Sequence, residues 1–239
     1  EKLRAVKRYM EKKDADLEQE LCDSLQKKDR FETFPAFSPD GRTLYFCSAE
    51  AKKIPEEYKE IRYNLCSIDF DPSTGTFGSR IDTLVNAEAL GKSVSFPRPS
   101  YDGKYIMFTL SDYGNFSIWH KEADLWLLDL TSGDLRKLSE VNSDDTESFH
   151  NWSSNSRWFV FSSRRGDGLY TRLYLASMDE NGKISKPFLL PQEDPETYYD
   201  RSVYSYNVPD FTSEPIKIDT RVFEKKITSK ERIQVQAKK

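Results

Sequence analysis

Cysteine is scarce in this chain of 239 residues, which contains only Cys22, Cys47 and Cys66. Their spacings match no zinc, iron–sulfur or haem motif, and an odd number leaves at least one thiol without a partner in the chain. Cys47 and Cys66 each lie within an apolar run, so we expect both to be small buried side chains. The cysteine content leaves the redox compartment open.

Long apolar runs and an excess of positive charge are also absent. No apolar stretch approaches the roughly 20 residues that a helix needs to cross a bilayer. The formal net charge is −4, which argues against a nucleic-acid partner. The chain is instead rich in aromatic residues, at 13% of the sequence with 13 Tyr and 15 Phe, and this composition favours strands over helices.

The common catalytic motifs are missing as well. The sequence has no G-x-S-x-G nucleophile elbow, no H-E-x-x-H zinc motif and no glycine-rich phosphate-binding loop. Paired carboxylates for glycoside hydrolysis need only face each other across about 5 to 10 Å, and Asp144, Asp145 or Glu147 could supply one. The sequence therefore predicts no catalytic residue, no metal site and no cofactor, and it leaves a carbohydrate-cleaving role open.

A thirteen-residue segment occurs three times without gaps. The copies are FPAFSPDGRTLYF from Phe34, FPRPSYDGKYIMF from Phe96 and FHNWSSNSRWFVF from Phe149. Each copy contains a tetrapeptide (SPDG, SYDG or SSNS) that begins with Ser; this Ser, the Pro of the first copy and the final Gly of the first two favour a type I turn followed by a residue at positive φ. Each copy is therefore predicted to be a β-hairpin.

The third copy differs from the others at the last turn position, where Ser156 replaces the glycine found at Gly41 and Gly103. A residue other than glycine at positive φ costs about 1 kcal/mol. We therefore predict that Ser156 carries this strain or that its turn has another geometry.

The second strand of each hairpin is apolar at consecutive positions, reading LYF, IMF and FVF. A strand with one solvated face would alternate apolar and polar residues, so these strands are predicted to be buried on both faces. Two further strands with Gly-marked turns follow each hairpin and complete a four-stranded antiparallel unit. Such repeating units predict an all-β fold, a β-propeller of four-stranded blades. A β-sandwich also has short strands, but it does not repeat a segment in register.

A resemblance to a known family becomes visible in these units. The segment FPAFSPDGRTLYF resembles the PD40 or WD40-like repeat of TolB-type propellers, and the run at 159–182 is similar to their strand, Arg-containing connection, strand and turn. The resemblance extends over about residues 31–191, although the repeat spacing exceeds the usual blade of ~40–45 residues. It implies a bacterial envelope setting, periplasmic or facing the cell surface. Such propellers are scaffolds, accessory domains of peptidases or hydrolases, so the resemblance leaves the activity open.

The repeats divide the chain into six predicted segments. They are a helical segment or insertion at 1–30, blades at 31–90, 91–140 and 141–191, a closing strand or edge segment at 192–218, and a polar tail at 219–239. Three blades do not close a ring, because propellers have at least about four. We therefore expect a part of a longer propeller with further blades upstream, with an unobvious fourth blade or a dimer through blade edges as alternatives.

Positions that differ among the three copies are free to form a site, because the positions that agree serve the scaffold. On the first strand of each hairpin, which we expect to line the central funnel, the variable positions carry Arg98, His150, Asn151 and Glu147. We expect these four residues to form a ligand-binding cluster. The alternatives are a structural ion pair for Arg98 and a hydrogen-bonded, partly buried imidazole for His150.

Together these features favour a non-catalytic β-propeller that binds a protein or a glycan-like ligand through its funnel and one loop face. The alternatives are a propeller hydrolase that acts on carbohydrate and the accessory propeller of a peptidase. An enzyme should place two carboxylates or a metal ion opposite each other in the funnel. A binding protein should instead present a broad aromatic or charged rim.

Overall fold

A computed structural model describes residues 29–219 and 221–229 of the chain. The strands are β1 (Arg30–Phe37), β2 (Thr43–Glu50), β3 (Asn64–Asp71), β4 (Thr76–Val85), β5 (Ser93–Pro99), β6 (Tyr105–Ser111), β7 (Asp124–Asp129), β8 (Leu135–Lys137), β9 (Glu147–Trp152), β10 (Trp158–Ser163), β11 (Arg172–Ser177) and β12 (Phe188–Leu189). The α-helices are α1 (Pro195–Arg201) and α2 (Arg221–Thr228), and short 3₁₀ helices occur at Tyr58–Glu60 and Ser117–Trp119. Residues 1–28 of the segment that the sequence predicts to be helical (1–30) lie outside the described residues. Helix α2 lies within the segment predicted to be a polar tail.

The strands form three antiparallel sheets in which each strand pairs with its neighbours in the chain. Sheet I contains β1 to β4, sheet II contains β5 to β8, and sheet III contains β9 to β12. This four-stranded arrangement is the one that the hairpin and the Gly-marked turns predict. Each sheet thus corresponds to one copy of the repeat.

The hairpin turns between the first two strands of each sheet have the predicted geometry. Gly41 and Gly103 have φ angles of 72° and 73°, and Ser156 has a φ of 56°, so the third copy carries the expected strain. The hydroxyl of Ser156 accepts a hydrogen bond of 2.9 Å from the backbone N–H of Asp102 in sheet II. This bond between sheets is one that glycine could not form, and it gives a physical reason for serine at this position.

Strand β6 shows how the sheets pack face to face. Ile106 and Phe108 belong to a buried cluster with residues of sheet I such as Tyr45, whereas Met107 belongs to a second cluster with residues of sheet III such as Phe159. Burial of a large apolar side chain stabilises the fold by roughly 1.5 to 3 kcal/mol. Consecutive apolar residues therefore serve two interfaces, and the double burial predicted from the sequence is confirmed. The three sheets are successive blades of a β-propeller.

The first strands of the sheets lie next to one another, with β5 in contact with both β1 and β9. They are the inner strands, and the space that they border is the funnel. Each has an irregular pairing beside a phenylalanine at positive φ, with values of 53° at Phe34, 53° at Phe96 and 45° at Phe149. Their rings form a column, with centroids 4.3 Å apart between Phe34 and Phe96 and 4.7 Å apart between Phe96 and Phe149. Ring contacts of this kind contribute roughly 0.5 to 1.5 kcal/mol each and offset part of the backbone strain.

The chain after α1 does not form a strand between 202 and 218, within the range where the sequence predicts a closing strand or edge segment. It instead crosses the face of sheet III that is turned away from sheet II. Arg172 donates a hydrogen bond of 2.8 Å to the carbonyl oxygen of Ser202, and Ser162 donates one of 2.6 Å to that of Asn207. The backbone N–H of Tyr206 also donates a hydrogen bond of 3.2 Å to the carbonyl oxygen of Thr171, but this single backbone contact does not extend into a ladder.

The two ends of the blades differ in character. Turns between first and second strands and between third and fourth strands lie at one end, which we term the turn face. The connections between second and third strands lie at the other end because antiparallel strands alternate in direction. These connections, at 51–63, 112–123 and 164–171, define the loop face. Within the described ranges, none of the helices has the length and apolar character required to cross a membrane.

Candidate functional site

Arg98 and Asn151, two of the predicted site residues, lie at equivalent positions of the inner strands β5 and β9. The side-chain amide of Asn151 donates a hydrogen bond of 2.9 Å to Oδ1 of Asp210, a residue of the segment that crosses sheet III. Arg98 is half-buried, and its guanidinium donates a hydrogen bond of 3.3 Å to the carbonyl oxygen of Pro97. Among the described residues, no carboxylate lies within 4.0 Å of that guanidinium.

Contacts with the next blade hold the backbone of Arg98 in place. Nε1 of Trp152 in β9 donates a hydrogen bond of 3.1 Å to the carbonyl oxygen of Arg98. Burial lowers the pKa of the Arg98 guanidinium, and the nearby carboxylate of Asp210 opposes this effect. A guanidinium has five N–H donors and remains charged in proteins. Arg98 therefore brings a partly desolvated positive charge to the wall of the funnel, and within residues 29–219 and 221–229 most of its donors have no hydrogen-bond partner.

His150 lies beside this pair but faces the interior. Its Nε2 donates a hydrogen bond of 2.9 Å to the carbonyl oxygen of Met107, and its Nδ1 has no hydrogen-bond partner in the described part of the chain. Burial lowers the pKa of His150 to about 3, the bond to Met107 opposes this shift, and the charge of Arg98 adds to it. The imidazole is therefore neutral at physiological pH. The structure thus places Arg98, His150 and Asn151 on the neighbouring inner strands β5 and β9, with the side chain of His150 buried and that of Asn151 bonded to Asp210.

Glu147 is separated from this group. Its buried carboxylate accepts hydrogen bonds from Arg165 at 2.8 Å, from the hydroxyl of Ser163 at 2.8 Å and from the hydroxyl of Ser143 at 2.6 Å. Burial raises the pKa of Glu147, whereas the bonds from Ser143 and Ser163 and the charge of Arg165 act in the opposite direction. Glu147 begins β9 at the loop face, four residues and so roughly 13 Å along the strand from Asn151. Its contacts connect the loops around sheet III.

Asn142 and His120, two further polar side chains near the loop face, have internal partners. The side chain of Asn142 accepts a hydrogen bond of 2.8 Å from the backbone N–H of Leu125 and donates one of 3.0 Å to its carbonyl oxygen. Nδ1 of His120 lies 3.0 Å from Oε1 of Glu122. Among the described residues, no group of three or more His, Cys, Asp or Glu side chains is arranged to hold a metal ion.

The loop face exposes large apolar side chains. Phe116, Trp119 and Leu169 are 79%, 67% and 68% exposed. Phe116 also has a positive φ of 53°, an unfavourable backbone conformation for an aromatic residue. Single exposed apolar residues are common on protein surfaces, but several on neighbouring loops are typical of an interaction site.

Side-chain contacts join the three loops of this face into one surface. The rings of Tyr58 and Tyr113 meet edge to face with centroids 5.7 Å apart, which connects the loops at 51–63 and 112–123. The guanidinium of Arg164 lies over the ring of Trp119, 4.8 Å from its centroid, and connects 112–123 to 164–171. Trp119 is therefore held by a neighbouring loop, as are Tyr58 and Tyr113.

Sequence reasoning missed both Asp210 and this aromatic surface. The signal for the surface is present in the run YGNFSIWH, which places three large aromatic residues in a connection between strands. The contact between Asn151 and Asp210 joins residues 59 positions apart. No local pattern indicates it.

No protein-family model matches the chain, and no curated protein is similar to it in sequence. Several solved structures are similar to this chain in fold. TolB from Acinetobacter baumannii is 20% identical with a TM-score of 0.41, over 68% of this chain and 33% of that chain. The β-propeller domain of the Trilobed protease from Pyrococcus furiosus is 16% identical with a TM-score of 0.40, over 69% of this chain and 44% of that chain. An oligogalacturonate lyase in complex with manganese is 14% identical with a TM-score of 0.49, over 70% of this chain and 44% of that chain.

The matched region thus spans between a third and a half of the length of each of these structures. The assignment to the β-propeller class rests on the order and packing of the sheets in this chain.

Proposed function

We propose that this chain is a non-catalytic β-propeller that binds a protein partner through its loop face, with Arg98 and Asn151 contributing from the funnel. The observation that carries the proposal is the exposure of Phe116, Trp119 and Leu169 on connected loops. Aromatic residues and Arg are enriched at protein interfaces, where a few such side chains supply most of the binding energy.

A protein fits this surface better than a glycan-like ligand does. Sugar rings stack on flat aromatic faces, but one face of Trp119 is covered by the guanidinium of Arg164. Leu169 and Ile54 add exposed aliphatic side chains, at 68% and 58% exposure, which suit the apolar side chains of a protein. A partner that covers this face would bury them and remove apolar area from water.

The substitution Trp119→Ala is the sharpest test, and Trp158→Ala is its matched control. Trp158 is 41% exposed but lies at the start of β10 near the turn face. Unchanged and substituted chains would be immobilised and exposed to an envelope extract of the source organism. Each captured protein would then be purified, and its affinity for each of the three chains would be measured. We expect a partner that binds at least tenfold more weakly to Trp119→Ala and equally well to Trp158→Ala.

Two outcomes would oppose this proposal. Equal affinities of the three chains for every captured protein would contradict a role for the loop face. The substitution Trp119→Ala could instead weaken binding to an oligosaccharide on a glycan array and to no protein. That result would assign the surface to a glycan-like ligand.

An envelope location, periplasmic or facing the cell surface, is part of the same proposal. It is supported by the resemblance of residues 31–191 to TolB-type repeats. Cell fractionation of the source organism, with the natural gene carrying a short C-terminal tag, tests this location. Recovery of the tagged protein with cytoplasmic markers would contradict it.

A dimer through blade edges stays a prediction. The outermost strand of sheet I, β4, carries an exposed ion pair of 2.7 Å between Arg80 and Asp82. Charged side chains on an edge strand oppose pairing with a second chain. Sedimentation over a range of protein concentrations would detect the dimer directly.

A further inference from the structure

The segment at 202–211 reaches from sheet III to the wall of the funnel. Arg172 donates hydrogen bonds to the carbonyl oxygens of Ser202 and Tyr204, and Ser162 donates to the carbonyl oxygen of Asn207. Beyond these hydrogen bonds the segment continues through Val208 and Pro209, and Asp210 lies beside the inner strand β9.

Asp210 places a carboxylate beside the inner strand β9. Its Oδ1 accepts the hydrogen bond of 2.9 Å from the side-chain amide of Asn151. Its charge also interacts favourably with the partly desolvated guanidinium of Arg98. Asp210 itself is exposed, so it is not a structural element of the core.

The guanidinium of Arg98 can still donate hydrogen bonds to a ligand. Its guanidinium is a planar fork that binds carboxylates through two parallel hydrogen bonds. In the described residues, its side-chain hydrogen bond is the one of 3.3 Å to the carbonyl oxygen of Pro97, and Asp210 lies beyond ion-pair distance. The internal carboxylate therefore contacts the amide of Asn151 and leaves the stronger donor group available.

We propose that Arg98 and Asn151 form a carboxylate-binding site, that Asp210 is its internal occupant, and that a carboxylate on a peptide partner displaces it. This site adds a ligand class to the proposed function. It rests on the proposed function only in assuming that the partner is a protein or peptide. The ligand class is an aspartate or glutamate side chain, or a chain-terminal carboxylate, on an extended peptide.

The position of the site favours this class of ligand. Asp210 approaches it on a segment without secondary structure, so a peptide can approach it in the same way. His150 is buried and uncharged, so the site carries the single positive charge of Arg98. One carboxylate neutralises that charge, whereas a neutral side chain leaves it unpaired.

The anchors of the segment make Asp210 an effective competitor. A group tethered by a short chain has an effective concentration in the millimolar range, and anchoring near the site raises its occupancy further. An added peptide must displace Asp210 before it can bind. Removal of the Asp210 carboxylate should therefore strengthen binding of an external carboxylate.

The test uses the full chain labelled with ¹⁵N and two short peptides as probes. The first probe is acetyl-Val-Pro-Asp-Phe-amide, which copies residues 208–211, and the second has Asn in place of Asp. Binding is followed by the shift of the Asn151 side-chain amide signal. Asp210→Ala is compared with the unchanged chain and with Asp219→Ala, which removes an exposed carboxylate that pairs with Arg221 instead.

We expect the Asp peptide to bind Asp210→Ala at least tenfold more tightly than it binds the unchanged chain or Asp219→Ala. We expect the Asn peptide to bind Asp210→Ala at least tenfold more weakly than the Asp peptide does. Adding Arg98→Gln to Asp210→Ala should remove this difference between the peptides. Arg98→Gln keeps the aliphatic stem of the side chain and removes its charge, and dispersed amide signals would verify that the variant is folded.

Equal affinity of the two peptides for Asp210→Ala would overturn the carboxylate site. Equal affinity of the Asp peptide for Asp210→Ala and the unchanged chain would overturn the role of Asp210 as the internal occupant. These failures are separable from failure of the loop-face proposal. That proposal depends on Trp119, which lies in a different part of the molecule.

Discussion

The imidazole of His150 donates a hydrogen bond of 2.9 Å to the carbonyl oxygen of Met107, so a side chain of one inner strand is tied to the second strand of the neighbouring blade. Trp152, two residues further along β9, donates in the same direction to the carbonyl oxygen of Arg98. These bonds place two blades in a defined register around the candidate site. Burial, not this bond, keeps the imidazole neutral, because the bond to Met107 raises the pKa of His150 whereas burial lowers it.

The first prediction concerns acid stability. The pKa of His150 is lowered to about 3 in the folded protein from a usual value of 6.5, so the unfolded state binds the additional proton. Its contribution to stability is therefore complete above pH 6.5 and is lost as the pH falls from 6.5 towards about 3. At pH 5 the loss amounts to about 2 kcal/mol.

Urea unfolding at several pH values measures this effect. The unchanged chain should lose stability between pH 7 and pH 5, and His150→Gln, which cannot take up a proton, should lose about 2 kcal/mol less over the same interval. Parallel pH profiles for the two chains would show that His150 is not the group responsible.

The second prediction concerns the strained turn of the third hairpin. Ser156→Ala keeps the positive φ and loses the hydrogen bond to Asp102, so it should destabilise the fold by about 1 kcal/mol. Ser156→Gly loses the same bond but relieves about 1 kcal/mol of strain, so its stability should match that of the unchanged chain. Gly103→Ala, at a φ of 73°, introduces strain alone and should cost about 1 kcal/mol.

Chemical denaturation of the three variants checks this ordering. If Ser156→Gly proved as destabilising as Ser156→Ala, the backbone strain at this turn would be negligible.

The third prediction concerns the buried ion pair at the loop face. Glu147 has no exposed surface and pairs at 2.8 Å with Arg165, whose side chain is 19% exposed. Glu147→Ala leaves Arg165 and two hydroxyl groups without their acceptor and should cost about 3 kcal/mol. Glu180 pairs with Arg157 at a similar distance but is 81% exposed, so Glu180→Ala should cost less than about 1 kcal/mol.

Thermal unfolding of both variants compares a buried with an exposed pair in one fold. Similar losses for Glu147→Ala and Glu180→Ala would mean that burial does not strengthen the interaction. A large loss for Glu147→Ala would support a structural role for Glu147, apart from the ligand site.

Most of the fold was predictable because its determinants are local. The turn tetrapeptides predict hairpins, and the positive φ of Gly41, Gly103 and Ser156 follows from their place in the turn. The consecutive apolar residues of β6 predict burial on both faces, since Phe108 and Met107 each need an apolar neighbour. These signals occupy a few adjacent residues, and the chain repeats them three times.

The candidate site was only partly predictable. Comparison of the three copies selects Arg98 and Asn151, which occupy equivalent positions on inner strands, and it also selects His150, whose side chain is buried and bonded to Met107 of the next blade. The same comparison also selects Glu147, although the alternation of residues along a strand does not reveal that Arg165 meets its carboxylate. The segment at 202–211 carries no pattern that indicates its course across sheet III.

By itself the sequence determined the hairpins, the four-stranded units and the doubly buried strands, because turn chemistry and apolar periodicity act between residues close together in the chain. Tertiary structure alone decided that Asp210 meets Asn151 and that Ser156 binds the turn at Asp102, since these residues are 59 and 54 positions apart. Such contacts exist only once the blades have packed, and they depend on the relative placement of sheets that no short segment encodes.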